Sequence, residues 1–169
     1  MKIGVIGLGN MGLSMVKSLR DHGHEVFVWD RSVEPRFKAV DMGAMPVEQI
    51  RDIAMHLNKE QRKVIVFMVS DGSVVDQLLF ENGVNSIINV LTKGDIFIDC
   101  TNPSHQDAQR RAKRLGEKGI FLLDAEIKGG IEGVRYGAEC KVEENQTAFD
   151  YVEQIFKDLS VVDGYSFTS

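Results

Sequence analysis

The sequence has few of the features that mark secreted, metal-binding or membrane-spanning proteins. It contains two cysteines in 169 residues, Cys100 and Cys140, and they form neither a CxxC pair nor a metal-ligand spacing. This predicts free thiols in a reducing compartment, the cytoplasm, rather than a disulfide framework or a metal site. No uninterrupted apolar run approaches the ~18 residues of a membrane-spanning helix, and no basic and apolar leader precedes the first predicted strand. We therefore expect neither a membrane span nor a signal peptide.

An excess of positive charge is also lacking. The 20 Lys and Arg residues are outnumbered by 25 Asp and Glu residues, which gives a net charge of −5. This balance argues against nucleic-acid and membrane partners. Basic residues do cluster on a predicted helix at Arg110, Arg111, Lys113 and Arg114, and we interpret this cluster as a solvated helix face.

The sequence does contain a regular alternation of predicted strands and helices, without internal repeats or low-complexity segments. Apolar runs predict strands at residues 2–6, 25–29, 63–69, 95–100 and 120–124, with a last short one at 161–162. Helices are predicted at residues 33–42, 47–57, 74–80, 84–91, 105–118 and 146–159, besides one after the first strand. The alternation predicts a single α/β domain over residues 1–169, a Rossmann-type doubly wound, mostly parallel sheet with helices on both faces.

A glycine-rich turn joins the first predicted strand to the first helix. Gly7, Gly9 and Gly12 form the spacing GxGxxG, which is weak evidence alone but is strengthened by the flanking strands and helix. In a dinucleotide-binding turn the first glycine permits the tight turn, the second allows the backbone to approach a pyrophosphate, and the third allows close helix packing. The helix N-terminus supplies free N–H groups and a partial positive charge for the anion.

The second predicted strand ends at an acidic residue. Asp30 lies where a carboxylate can accept hydrogen bonds from the adenosine ribose hydroxyls, and it would repel a 2′-phosphate. The sequence therefore favours NAD as the cofactor. Arg31 is the next residue and could pair with a 2′-phosphate, so NADP stays open.

The strand order of such a fold makes a positional prediction. Ligands bind beyond the carboxyl ends of the strands. We therefore expect the loops at residues 7–12, 30–32, 68–72, 100–104 and 124–130 to line one cleft.

At these loops the sequence closely resembles the N-terminal domain of the 6-phosphogluconate dehydrogenases, within the wider β-hydroxyacid dehydrogenase family. The resemblance covers nearly the whole chain and rests on residues 1–12, 21–26, 67–69, 94–99, 102, 104, 111–113, 118–124 and 129–133. It implies hydride transfer from a hydroxyl carbon of a sugar acid or hydroxyacid to the nicotinamide, followed by loss of CO2 for 6-phosphogluconate.

The resemblance also implies roles for single residues on the cofactor side. Asn10 and Met11 would lie over the dinucleotide, and Met68 and Val69 against the path from adenosine to nicotinamide. Asn102 would touch both nicotinamide and substrate, which makes it the candidate catalytic residue of this chain.

On the substrate side, Gly129 and Gly130 would offer backbone N–H groups, and here the sequence departs from the family. Lys128 stands where the family has a serine, and it could either grip an anionic substrate or block the usual pose. Residues 100–101 are Cys-Thr where the sugar-acid enzymes have Gly-Gly, which is closer to the short-chain hydroxyacid relatives. A charged stretch at residues 139–144 replaces an apolar strand, and it suggests an exposed edge or an altered substrate rim.

The general base of the family is a lysine on a helix of a second, all-helical domain, which would begin where this sequence ends at Ser169. We therefore expect this chain to be inactive alone and the full-length form to be a homodimer. Two alternatives remain: a 3-hydroxyisobutyrate-type dehydrogenase domain, and a non-catalytic NAD(P)-binding redox sensor or regulatory protein.

Four further side chains receive structural interpretations. We interpret Asp124 as a turn carboxylate at a strand end and Cys100 as a strand-end core thiol. His105 is expected in the first turn of a helix capped by Ser104.

Overall fold

Eight strands form one sheet in the computed structural model, which describes residues 1–58 and 60–168 and only the backbone of residues 134, 135 and 162. In chain order they are Lys2–Ile6 (β1), Glu25–Trp29 (β2), Met45–Pro46 (β3), Val64–Phe67 (β4), Ile96–Asp99 (β5), Phe121–Lys128 (β6), Ala138–Glu143 (β7) and Ser160–Thr168 (β8). Their spatial order is β3-β2-β1-β4-β5-β6-β7-β8. The first six pair in parallel, β7 is antiparallel to β6, and β8 is parallel to β7.

In the described part of the chain, seven α-helices connect these strands: Asn10–Asp21 (α1), Val33–Asp41 (α2), Asp52–Leu57 (α3), Gly72–Asp76 (α4), His105–Gly116 (α5), Gly130–Tyr136 (α6) and Gln146–Leu159 (α7). A wide π turn at Gln77–Glu81 and two 3-10 turns at Gly83–Asn85 and Ile87–Asn89 lie between α4 and β5. The order confirms the predicted Rossmann-type sheet, because the chain reverses its direction of travel between β1 and β4. Within the described residues, no helix has the length and apolar composition needed to cross a membrane.

Two apolar cores, one on each face of the sheet, hold the layers together. All four residues of β4 are buried, as expected of a central parallel strand covered on both sides. One face packs against α1 and α7, and its core includes Val5, Val66 and Ile98. The opposite face packs against α3 and α5, and its core includes Ile65 and Phe97. The domain therefore has the sandwich of helix, sheet and helix that leaves the carboxyl ends of the strands open.

A buried ion pair lies at the amino-terminal edge of the sheet, opposite the open carboxyl ends of the strands. The Lys63 ammonium lies 2.9 Å from the carboxylate of Asp95, and both side chains are almost fully buried. Asp95 also accepts hydrogen bonds from the backbone N–H groups of Lys63 and Thr92. The pair therefore ties the start of β4 to the start of β5.

Several predicted boundaries were wrong. The helix predicted at 47–57 begins only at Asp52, because the N–H of Val47 still donates to Val28 in the sheet. Residues 84–91 form two short turns instead of a helix. Strand β6 continues past Asp124 to Lys128, and β8 has nine residues, because each pairs with β7.

The charged stretch at residues 139–144 is not an exposed edge. Strand β7 lies between β6 and β8, with Ala138, Cys140 and Val142 buried on one face. Its charged residues 139, 141 and 143 occupy the other face. The alternation of burial explains how a charged sequence becomes an interior strand.

Candidate cofactor site

The glycine turn between β1 and α1 is packed too tightly for side chains at two of its three glycines. Gly7 has a φ of +94°, and a Cβ there would overlap the backbone carbonyl of Met68. A Cβ on Gly12 would overlap the carbonyl oxygen of Gly7. These contacts draw α1 against the end of β1, as the spacing of the glycines predicts.

Gly9 differs from the other two glycines because space surrounds it. It precedes α1 with φ −63° and ψ −175°, and a Cβ built there meets no protein atom within 4 Å. Among the residues that the structure describes, no side chain caps α1, so the N–H groups of its first turn have no side-chain acceptor there. Backbone amides at an accessible, positively polarised helix end are chemically suited to a pyrophosphate. Asn10 is exposed and Met11 half-buried at the same turn.

The carboxylate of Asp30 is tied directly to the glycine turn. Its Oδ2 accepts a hydrogen bond of 2.7 Å from the N–H of Leu8, and its Oδ1 accepts one of 2.8 Å from the N–H of Ser32. Asp30 thus lies beside the turn with lone pairs left for ribose hydroxyls. Arg31 is exposed and makes no ion pair among the described residues.

Met68 and Val69 follow β4 and lie against the same turn. The N–H of Met68 donates to the carbonyl of Ile6 at 2.8 Å, and both side chains are half-buried. A Cβ on Gly7 would come within 2.8 Å of the Val69 side chain. The structure therefore brings the two residues next to the glycine turn.

A second group of polar residues lies beyond the ends of β5 and β6. Asn102 adopts a left-handed conformation, with φ 53°, in the loop after β5. A depression of about 240 Å³ is lined by Asn102, Pro103, His105, Asp124, Glu126, Lys141 and Glu143. Three carboxylates face two basic groups here, so negative charge dominates the lining.

Asp124 is the carboxylate that responds most to this environment. It lies within β6, not at a strand end as predicted, with Asp99 beside it on β5 and Glu143 opposite on β7. Burial and the negative charges of Asp99, Glu143 and Glu144 raise its pKa to about 6.

The comparisons with known proteins agree with this geometry. A family model described as the NAD binding domain of 6-phosphogluconate dehydrogenase matches residues 2–165. The chain belongs to this family. A decarboxylating 6-phosphogluconate dehydrogenase of Haemophilus influenzae is 34% identical over 163 residues, which cover 94% of this chain and 32% of the relative. The chain therefore spans about a third of the length of that relative.

Solved structures show the same fold at lower identity. An imine reductase from Myxococcus stipitatus in complex with NADP+ superimposes with a TM-score of 0.85 at 21% identity, covering 99% of this chain and 55% of that one. A 3-hydroxyisobutyrate dehydrogenase from Mycobacterium tuberculosis superimposes with a TM-score of 0.82 at 20% identity, covering 98% and 53%. Together with the family match, this makes the chain an NAD-binding domain of the 6-phosphogluconate dehydrogenase-like oxidoreductases.

The remaining predicted substrate residues do not line the depression that Asn102 borders. Lys128 is the last residue of β6, where its ammonium lies 3.3 Å from Glu126, and it lines a different depression with Glu139, Tyr165 and Ser166. Gly129 and Gly130 follow with φ values of 107° and 62° and begin α6. Lys141 borders both depressions.

Cys100 and His105 lie at the two ends of the loop that joins β5 to α5. Cys100 follows β5 and is partly buried against the core, and burial and the neighbouring charge of Asp99 raise the pKa of its thiol well above its ordinary value. His105 lies in the first turn of α5, which Ser104 caps by accepting from Asp107, and its ring contacts Gln109 at 2.8 Å.

Arg111 is the residue that sequence reasoning missed. The basic cluster on α5 was expected in solvent, but Arg111 is 1% exposed and contacts Asp76, Asp99 and Gly72. Burial opposes the ionisation of Asp76, but the hydrogen bonds from Arg111 and Arg110 outweigh it and lower its pKa. The spacing of Arg111 from Ala108 and Leu115, three before and four after, places it on the buried face and could have revealed it.

Proposed function

We propose that this chain is the cofactor-binding half of a hydroxyacid dehydrogenase of the 6-phosphogluconate type. The observation that carries the proposal is the glycine turn, where tight packing at Gly7 and Gly12 contrasts with open space at Gly9. The pyrophosphate would lie over Gly9 and accept hydrogen bonds from the first-turn N–H groups of α1. The nicotinamide, when bound, accepts a hydride from the hydroxyl carbon of the substrate.

The adenosine end of the cofactor would lie beside Asp30. Its carboxylate keeps lone pairs for the ribose hydroxyls while it holds Leu8, and its charge disfavours a 2′-phosphate. We propose a preference for NAD over NADP, with Arg31 as the residue that would moderate it.

At the other end of the site, Asn102 would contact nicotinamide and substrate, with Gly129, Gly130 and Lys128 on the substrate side. The general base would come from a lysine outside these residues, so we expect this chain to bind cofactor without turnover. The substrate would be a sugar acid or a smaller hydroxyacid, and the full-length protein a homodimer. The free thiols of Cys100 and Cys140 support a reducing compartment.

Titration of this chain by calorimetry with NAD, and separately with NADP, tests the cofactor proposal. We expect NAD to bind more tightly. A clear preference for NADP would mean that Arg31 outweighs Asp30, and the absence of binding by either nucleotide would refute the site.

Substrate profiling of a full-length protein that contains this domain tests the reaction. Turnover of 6-phosphogluconate supports the proposal. Turnover of 3-hydroxyisobutyrate alone would favour the short-chain alternative, and tight cofactor binding without turnover of either acid would favour a sensor.

A further inference from the structure

Arg111 connects two loops that border the candidate cofactor site. Its Nη2 donates to the carbonyl oxygen of Gly72 at 2.7 Å, and its Nε donates to Asp76 at 3.0 Å. Its Nη1 donates to Asp99 at 2.8 Å. One guanidinium therefore holds the start of α4, which follows the Met68–Val69 loop, and the last residue of β5, which precedes the Asn102 loop.

The contact with Asp99 extends into the Asn102 loop. Asp99 is fully buried, and its Oδ2 faces Arg111 while its Oδ1 accepts hydrogen bonds from Thr101. These bonds measure 3.0 Å from the Thr101 N–H and 2.6 Å from its hydroxyl. Asn102 follows immediately in its left-handed conformation. The chain Arg111–Asp99–Thr101 thus sets the backbone that presents Asn102.

The contact with Gly72 depends on the absence of a side chain there. A Cβ at Gly72 would lie 3.0 Å from the Nη2 of Arg111. An alanine at this position would therefore push the guanidinium away by a few tenths of an ångström while leaving every charge in place. The planar fork of arginine, with five donors, can serve three acceptors in different directions, which a lysine ammonium cannot reproduce.

We propose that Arg111 is a positioning residue for the nicotinamide end of the cofactor site. It holds the loop before α4 and the Asn102 loop at a constant separation. This inference rests on the proposed function, because it takes Asn102 as a contact of the nicotinamide. The hydrogen bonds of Arg111 go to Gly72, Asp76 and Asp99 and not to the glycine turn, so its effect should fall on the nicotinamide half of the cofactor more than on the adenosine half.

Two ligands separate these halves. ADP-ribose carries the adenosine, pyrophosphate and second ribose but no nicotinamide ring, whereas NADH carries all of them. For Arg111→Lys we expect the Kd for NADH to rise about tenfold and the Kd for ADP-ribose to stay within about twofold, in calorimetric titrations. The fluorescence enhancement of bound NADH should also be smaller in this variant, since this enhancement depends on the surroundings of the nicotinamide ring.

Gly72→Ala provides a second variant that keeps the carboxylates of Asp76 and Asp99 paired with a cation. We expect it to raise the Kd for NADH about threefold with ADP-ribose unchanged. Gly116→Ala is the matched control, because it lies on α5 and a Cβ there meets no atom within 4 Å. Gly116→Ala should leave the Kd values for NADH and ADP-ribose unchanged. Thermal melting of each variant verifies that it is folded.

Equal losses for NADH and ADP-ribose in the folded variants, or no loss for either, would overturn the positioning role. If the unmodified chain binds neither ligand, the proposed function itself fails, and this inference fails with it.

Discussion

Substitutions at Gly9 and Gly12 should separate cofactor binding from folding. A Cβ on Gly9 meets no protein atom within 4 Å, and the φ of −63° is one that alanine adopts freely. Gly9→Ala should therefore stabilise the fold by about 0.5 kcal/mol, because alanine reduces the conformational entropy of the unfolded chain. For a domain of this size that raises the Tm by about 1–2 °C.

The same methyl group would occupy the space over the first turn of α1. Displacing a pyrophosphate from two backbone N–H groups removes charge-assisted hydrogen bonds worth about 1.5–3 kcal/mol each. We expect the Kd for NAD to rise by at least about 100-fold in Gly9→Ala, and binding to be abolished by the larger side chain in Gly9→Val.

Gly12→Ala should show the opposite behaviour. Its methyl group would overlap the Gly7 carbonyl oxygen, which is backbone and cannot rotate away. Overpacking of this kind costs about 3 kcal/mol, and the better helix propensity of alanine recovers about 1 kcal/mol. We expect a net loss near 2 kcal/mol and a Tm lower by about 4–8 °C.

Calorimetry with NAD and differential scanning of each variant measure both quantities. The reasoning would be refuted if Gly9→Ala bound NAD within threefold of the unmodified chain, or if its Tm fell as far as that of Gly12→Ala.

Three further predictions concern charge. The folded-state pKa of Asp124, about 6, exceeds its unfolded value of 3.8, so its favourable contribution to stability is complete below pH 3.8 and is lost as the pH rises through 6. After allowance for solvent screening, Asp124→Asn should be more stable than the unmodified chain by about 1 kcal/mol at pH 8 and show no advantage at pH 4; equal Tm differences at both pH values would contradict this. Asp30→Asn should shift the ratio of the Kd values for NAD and NADP about tenfold towards NADP, measured by calorimetry, and an unchanged ratio would remove Asp30 from the ribose site. Lys63→Met should lower stability in urea unfolding by about 3–5 kcal/mol, since it leaves the buried carboxylate of Asp95 unpaired. The affinity for NAD should be unchanged, because the pair lies at the sheet edge opposite the glycine turn. A decrease in the free energy of unfolding of less than about 1 kcal/mol would contradict a stabilising role of the buried pair.

Features that depend on neighbouring residues could be predicted from the sequence. The bounds of α7 were predicted correctly because apolar residues recur along one helix face, and the structure adds Asn145 as the cap of its first turn. Strand β2 ends before Asp30, as predicted, and Ser104 caps α5. The glycine turn is local only in part: Gly12 packs against the carbonyl of Gly7 in the same unit, whereas Gly7 packs against Met68, which follows β4.

Residues whose surroundings come from distant parts of the chain could not be placed in this way. Strand β6 extends to Lys128 only because β7 pairs with it. In β7 buried apolar residues alternate with charged ones, so its sequence contains no apolar run that would predict a strand. Burial and the charge of Asp99 raise the pKa of Asp124, and the pairing with β7 adds the charge of Glu143 opposite it.

Arg111 shows most clearly the difference between what the local sequence determines and what the tertiary structure decides. The sequence alone determined that it lies on a helix, three residues after Ala108 and four before Leu115. Only the tertiary structure decided that this helix face meets Asp76 and Asp99, whose carboxylates come from segments 35 and 12 residues away. A buried cation is stable only where such partners converge, and their convergence is a property of strand order and not of local sequence.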